Sequence, residues 1–287
     1  MTFALDDIAE LVRAVPLSMV RLVRGNVVRT TVHGRPFYVD TRDNIVSFEI
    51  LFRRTWEPRE TALLGSIIEP GDHVVDIGGH IGYYAVMFGA AVGTTGRVLA
   101  IEPDPDNAAV LKMNVALNKL ESVVTVVEAA AGAESSRADL YRAESRNRGD
   151  HRMYPAGKNR AAIDVRVIAI DDYTTGWERV DLIKMDIQGY EPHALKGMTG
   201  TLRKHESVVL VTEFWPHGMR LSGSDPAEFL AEVRAFGFSI FTMTREGRLA
   251  PADDAQLLAQ FGAPKSFTDI VCARAAAIEH RLKPVLA

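Results

Sequence analysis

Six short apolar runs constrain this chain most: residues 74–77, 98–101, 123–127, 180–185, 207–212 and 268–273, each rich in Val and Ile. Helical stretches separate most of them, such as 106–119, where Ala108, Leu111, Val115 and Asn118 share one face. Strand, helix, strand repetition predicts an α/β fold with a mainly parallel sheet covered by helices on both faces. Ligands of such sheets sit beyond the carboxyl ends of the strands, where strand order reverses. The residues that end each strand are therefore the ones to read for function.

With 287 residues, 47% hydrophobic and 24% charged, the chain can bury a sizeable core, and one large domain with additions is expected. The net charge is −4 and the 33 basic residues are dispersed, which argues against nucleic acid and anionic membrane as partners. The lone cysteine, Cys272, rules out an internal disulfide and a Cys-rich zinc site, and fits a reducing, cytoplasmic setting. The first residues carry Asp6, Asp7 and Glu10 where a secretory signal needs a basic start, and no window has membrane-spanning character.

Leu5, Ile8, Leu11, Val12 and Val15 recur at helical spacing before Pro16, an amphipathic arm that allows a homodimer. Residues 27–52 alternate β-branched and aromatic types and predict short strands joined by turns. The expected division is a helical and β extension over 1–57, the main domain over 58–275 and a tail over 276–287. Residues 133–162 are polar, rich in arginine and weakly periodic, too long for an ordinary connection. They read either as a lid over the substrate or as a solvated insertion.

The segment VVDIGGHIGYYA at 74–85 runs from strand through a glycine turn into a helix. A dinucleotide fingerprint does not fit it. One alignment puts Ile77 in the first glycine position, and the other puts His80 and Tyr83 in the later ones. Asp76, ending the strand, would also repel a pyrophosphate. S-adenosylmethionine, with a sulfonium, an ammonium and no phosphate, suits an acid followed by glycines that let the backbone come close. Glu102 ends the next strand, twenty residues beyond Gly82, placed to accept both ribose hydroxyls; a helix-terminal acid before Pro103 and Pro105 is the plainer reading. Ala129 and Ala130 after the third strand leave room for an adenine ring, or simply pack tightly.

DLIKMDIQGYEPHALKG at 181–197 completes a set of ordered blocks. With VVDIGGHIGYYA, IEPDPDN, Asn114, Asn118 and EFWPH, it resembles the FkbM-type S-adenosylmethionine-dependent methyltransferases, most clearly over 70–217. The resemblance implies a class I, Rossmann-like sheet of seven mostly parallel strands with the last strand antiparallel. It also implies methylation of a hydroxyl on a sugar or specialised metabolite, with a small-molecule acceptor as partner. The candidate cofactor residues are Asp76, Gly78, Gly79, His80, Gly82, Tyr83, Glu102, Ala129 and Asp186, and Asp186 and Glu213 are the acids facing the methyl group. Gln188 stands where the family commonly has Glu, and Gly79-His80 where it has Ala-Asn.

An alcohol acceptor must lose a proton as it is methylated, so a carboxylate or imidazole within reach is required. Asp186, Glu213 and His217 are the candidates, each with a structural alternative. His80 is expected to act through its backbone or to orient Tyr83, His193 to pack, and Glu191 to cap the helix begun by Pro192. A divalent metal on Asp186, Glu213 and His217 matches no strong spacing and is not favoured. Trp56, Glu57, Tyr83 and Tyr84 are candidate pocket walls. N-methylation, a non-catalytic nucleoside-binding module and a nicotinamide-dependent oxidoreductase are the competing functions.

Overall fold

The computed structural model describes residues 26–143, 147–155 and 160–287. The arm expected over 5–15, and the dimer it allows, lie outside them. Strands β1 (Val27–Val32) and β2 (Arg35–Asp40) form an antiparallel hairpin. Beyond it the expected strands give way to a helix, Val46–Arg53. Buried Asp43 is the cause: its carboxylate accepts the Ile45 and Ser47 amides at 2.9 and 3.3 Å and turns the chain into the helix.

The main sheet begins with β3 (His73–Ile77), β4 (Arg97–Ile101) and β5 (Val124–Val127), all parallel. A separate small sheet follows, from β6 (Ala130–Ala131), β7 (Ser136–Tyr141) and β8 (Ala162–Ile168). The chain then returns to the main sheet with β9 (Leu182–Met185), β10 (Val209–Phe214), β11 (Ser239–Met243), β12 (Leu249–Pro251) and β13 (Thr268–Ala273). The order across it is β5-β4-β3-β9-β10-β13-β11-β12, with β13 antiparallel to both of its neighbours. This is the class I arrangement, with one correction to the expected seven strands. An eighth, β12, pairs antiparallel with β11 at the edge.

Two hydrophobic layers flank the sheet, because side chains alternate along each strand. Val74, Val98, Leu182 and Val209 enter one layer with Leu64, Phe88 and Leu111. Val75, Leu99, Ile183 and Leu210 enter the other with Leu195, Phe214 and Phe229. The helix Pro105–Leu117 starts cleanly: Asp104 accepts the Asp106 and Asn107 amides at 3.0 Å, and Pro105 occupies the first turn. From this helix Asn114 bonds Tyr38 of β2 through both main-chain groups and donates to the Ile81 carbonyl at 2.8 Å. One side chain thus fixes the hairpin and the glycine loop together.

Two further expectations change. Within 133–162, Ser136–Tyr141 is a strand that pairs in register with Ala162–Ile168, so part of the stretch belongs to a sheet. Residues 276–287, set apart as a tail, pack onto the domain. Leu282 is fully buried, and Arg281 donates to Asp72 at 2.6 and 2.8 Å and to Asp181 at 3.2 Å. Among the described residues no helix is long and apolar enough to cross a membrane.

Candidate active site

Strand register builds the site. Ile77 pairs with Ile101 on one side and Met185 on the other, while Met185 pairs with Thr212 and Glu213 with Asp269. The next residues along therefore stand in one row at the carboxyl edge: Glu102, Gly78, Asp186, Glu213 and, across the antiparallel pair, Asp269. The row spans the point where strand order reverses between β3 and β9, the expected ligand position. Over it lies a cavity of about 580 Å³, within the range of small-molecule sites. A shallower depression of about 810 Å³ at the opposite edge is lined by Lys196, Arg203 and Arg274, but Arg274 already donates to the carbonyls of Leu202, His205, Glu206 and Phe236.

The glycine loop has little left to offer an anion. Gly78 and Gly79 both donate to the Ile101 carbonyl (3.0 and 2.9 Å), His80 N–H donates to Glu102 Oε2 (2.9 Å), and Gly82 N–H donates to Gly79 (2.8 Å). A phosphate nest needs those amides free. Gly78 has φ +87°, and a Cβ there would meet the Asp186 carbonyl oxygen at 2.0 Å, so no side chain is tolerated. Glu102 also accepts the Asp104 amide at 2.9 Å; burial nevertheless pushes its pKa up to about 8.

Of the residues expected to hold the cofactor, Gly78, Gly79, His80, Tyr83, Glu102, Ala129 and Asp186 line the cavity. Asp76 and Gly82 do not. Asp76 lies one residue below the row beside Lys184, fully buried, with both carboxylate oxygens free of hydrogen bonds and its pKa raised to about 6 by burial. Gly82 is the residue preceding the helix Tyr83–Val92 and packs on Leu111. Electrostatic rejection of phosphate at the loop therefore rests on the committed amides more than on an exposed Asp76. His80 is held neutral, burial pushing its pKa down to about 3, and it does not orient Tyr83. The Tyr83 hydroxyl is instead held by His33 at 2.8 Å and Thr61 at 3.2 Å.

The other end of the cavity is acidic. Asp186 and Glu213 line it and lie close together, and the group that joins them is Glu191, behind the cavity wall, not His217. One oxygen from each of Asp186, Glu191 and Glu213 lies within 4.8 Å of the others. His217 is absent from the wall because it sits in the first turn of the helix Pro216–Leu221, its ring 5.9 Å from that of Trp215. Glu191, read as a cap, is fully buried; its Oε1 accepts the Ile187 amide at 2.9 Å. Burial raises Glu191 to about 8 and Glu213 well above the ordinary carboxyl range, with Asp186 adding repulsion. Gln188 lines the cavity in a left-handed conformation (φ 57°) and donates to Asp186 Oδ1 at 2.9 Å.

A second acid pair lies alongside. The Tyr84 hydroxyl is 3.0 Å from Glu57 Oε2 and 3.2 Å from Glu60 Oε2, and Glu57 is itself left-handed (φ 42°). Lys184, 4.0 Å from Glu60 and 3.8 Å from Asp186, lies with its ammonium 4.5 Å from the centre of the Tyr84 ring. Burial opposes its charge, but Glu60, Asp186, Glu57 and Asp76 outweigh it and hold the ammonium above its usual range. Lys184, Glu60 and Asp269 escaped the sequence reading. Lys184 alone left a signal, a lysine in the middle of an apolar strand.

The segment after β7 closes the cavity over Glu102. Arg148, nearly buried, binds Asp104 at 3.2 Å and Asp106 at 3.0 Å, and its carbonyl accepts from Asn107 at 3.2 Å. Arg142 binds Asp104 at 2.5 Å. Farther along, the Arg152 guanidinium lies 4.7 Å from the centre of the Trp215 ring, and the Tyr154 hydroxyl donates to the Gln188 carbonyl at 2.6 Å. Of the arginines in the stretch read either as a lid or as a solvated insertion, Arg142, Arg148 and Arg152 fasten a cavity wall.

Residues 76–240, more than half of the chain, match the family model described as the methyltransferase FkbM domain. The chain belongs to the FkbM methyltransferase family. Among curated proteins, this FkbM chain is 27% identical over 146 residues to the hexuronic acid methyltransferase AglP of Haloferax volcanii, covering 50% of this chain and 56% of that one. It is 38% identical over 71 residues to the ribosomal protein L11 methyltransferase of Chloroflexus aurantiacus, covering 25% and 21%. The match thus spans about half of the first relative and a fifth of the second. Similar solved structures include the O-methyltransferase from Bacillus cereus in complex with SAH (TM-score 0.43, 12% identity, 91% and 89% covered). Another is the SAM-dependent O-methyltransferase from Thermotoga maritima (TM-score 0.42, 13% identity, 88% and 80% covered).

Proposed function

We propose that the protein is an S-adenosylmethionine-dependent O-methyltransferase acting on a hydroxyl of a sugar or other specialised metabolite. The observation that carries this reading is the row Glu102, Gly78, Asp186 and Glu213 beneath one cavity, with the amides of Gly78, Gly79, His80 and Gly82 already committed. A cationic, phosphate-free ligand suits that arrangement; a pyrophosphate does not. When bound, S-adenosylmethionine supplies an electrophilic methyl group. Glu102 takes the ribose hydroxyls, Gly78 and Gly79 give the methionine half close backbone contact, and Ala129 borders the adenine. Asp76 supports the loop from beneath. The relative that acts on a hexuronic acid, by its name, favours a sugar acceptor.

The chain's main lever is position. Holding an acceptor in line with the methyl group is worth roughly 7–11 kcal/mol, against a factor of about 10²–10⁴ from a general base. Asp186 and Glu213 hold the acceptor hydroxyl and take up its proton at the carboxylate. Lys184 keeps its charge and limits the repulsion among the acids. N-methylation is the second reading, favoured by the same acids, which would hold an amine.

The test is methyl transfer from labelled cofactor to a panel of sugar and metabolite hydroxyls, in the wild type and in Asp186→Asn. Product with the hydroxyl panel is expected, with turnover in the variant lowered about 10²–10⁴-fold and cofactor affinity changed less than about threefold. Equal losses in both would reassign Asp186 to binding or folding, and product only from amines would replace O- by N-methylation.

A further inference from the structure

We propose that Asp186, Glu191 and Glu213 bind a divalent cation that holds the methyl acceptor by its oxygens. The proposal rests on the functional reading above and names the chemistry of its acceptor end. Three oxygens no more than 4.8 Å apart lie within about 2.8 Å of a common centre, and Mg²⁺ or Ca²⁺ takes oxygen ligands at about 2.0–2.6 Å. Rotations of a few tenths of an ångström at the carboxylates close that gap. All three ligands are oxygens, which selects a hard cation over zinc or copper.

A cluster of acids alone would not mark a site. The independent sign is that two of their oxygens are unsatisfied. Among the described residues, Glu191 Oε2 and Glu213 Oε2 are buried with no hydrogen-bond partner, on residues 0% and 6% exposed, while the rest of the Glu191 carboxyl is held by main-chain amides of its own turn. Buried carboxylate oxygens ordinarily find a donor. The surrounding groups do not supply one: the Ile187 amide goes to Glu191 Oε1, the Gln188 amide to Asp186 Oδ1, and Lys184 reaches Asp186 only at 3.8 Å while also serving Glu60. The chain around the cluster is also held in place, since Tyr154 pins the Gln188 carbonyl and Ser222 donates to the Gly189 carbonyl at 2.8 Å. Asp186 is half-buried and lines the cavity with Glu213, so the cluster meets the acceptor's space on that side, with Glu191 buried behind.

An octahedral or larger shell leaves positions beyond the three carboxylates. An acceptor with two neighbouring oxygens, a vicinal diol or a hydroxy acid, fills two of them. In the transfer, the acceptor oxygen–carbon bond forms as the carbon–sulfur bond breaks, and the hydroxyl proton leaves to Glu57, a cavity carboxylate outside the ligand set. With the cation bound, Asp186 and Glu213 hold the hydroxyl through the metal, the proton-accepting role given to them above passes to Glu57, and the cation lowers the pKa of the hydroxyl.

The test is Mn²⁺ binding to the chelator-treated full chain, followed by electron paramagnetic resonance and calorimetry, with and without S-adenosylhomocysteine. One equivalent is expected, displaced by Mg²⁺, with affinity lowered at least tenfold in Glu191→Gln and Glu213→Gln and unchanged in Glu128→Gln, an exposed acid away from the cavity. Circular dichroism separates loss of binding from loss of fold; if a glutamine variant does not fold, Asp186→Asn carries the same expectation. Absence of Mn²⁺ binding at millimolar concentration, or binding indifferent to every one of these substitutions, overturns the proposal. S-adenosylhomocysteine that still binds in that case leaves the methyltransferase reading standing.

Discussion

Glu102 accepts the main-chain N–H of His80 at 2.9 Å, so the strand-end acid and the glycine loop 22 positions earlier form one unit. Burial raises the Glu102 pKa to about 8. A carboxyl whose folded pKa lies above its unfolded value adds stability that is full below the unfolded pKa and is lost as pH rises through the folded one. Ribose hydroxyls donate to the ionised form. The affinity for S-adenosylhomocysteine should therefore rise by up to about tenfold per pH unit toward pH 8 and level off above it. Glu102→Gln should lose about 10- to 100-fold in affinity at pH 8 and lose this contribution to the slope. Calorimetry on both proteins across pH 6–9 checks it, since titration of the ligand's own amine is common to both.

The wall over Glu102 hangs on Arg148. Removing its bonds to Asp104 and Asp106 should free residues 147–153 without disturbing the sheet. Arg148→Ala is expected to weaken cofactor affinity about tenfold, roughly the worth of one charge-assisted bond. Amide hydrogen exchange should rise in that segment while the unfolding midpoint changes little.

Two glycines with the same hand of backbone should respond differently. Alanine at Gly34 (φ +75°) meets nothing within 4 Å and should cost only the left-handed conformation, about 1–2 kcal/mol. Alanine at Gly78 adds a clash with the Asp186 carbonyl and should cost more than about 3 kcal/mol or abolish cofactor binding. Urea denaturation of the two variants makes the comparison.

Arg281 carries the C-terminal segment. It is buried, and without it Asp72 and Asp181 remain as buried charges whose other ion-pair partner among the described residues is the half-exposed Arg179. Arg281→Ala should destabilise the protein by about 3–5 kcal/mol. Equilibrium denaturation reads this directly, with cofactor affinity of the folded fraction unchanged.

The sheet was legible because parallel strands buried on both faces read as apolar runs, and the strand ends then named Glu102, Asp186 and Glu213. Parts without that signature stayed hidden. Strand β7 is exposed at half of its positions and fully buried only at Leu140, while β12 has three residues. Glu191 beside Pro192 carries the same letters as a helix cap, and only the turn after Asp186 brings its carboxylate back to the row. Asp269 pairs with Glu213 solely through the antiparallel direction of β13, which no local pattern encodes. Asp76 was legible as a strand-end acid, but its depth below the row was not.

Calorimetric titration of the full chain with S-adenosylhomocysteine, beside an identical titration with NADH, bears most directly on the central claim. One site per chain for the adenosyl ligand and no heat with the dinucleotide is the predicted result. Binding of NADH, or silence toward S-adenosylhomocysteine by a folded protein, would contradict it.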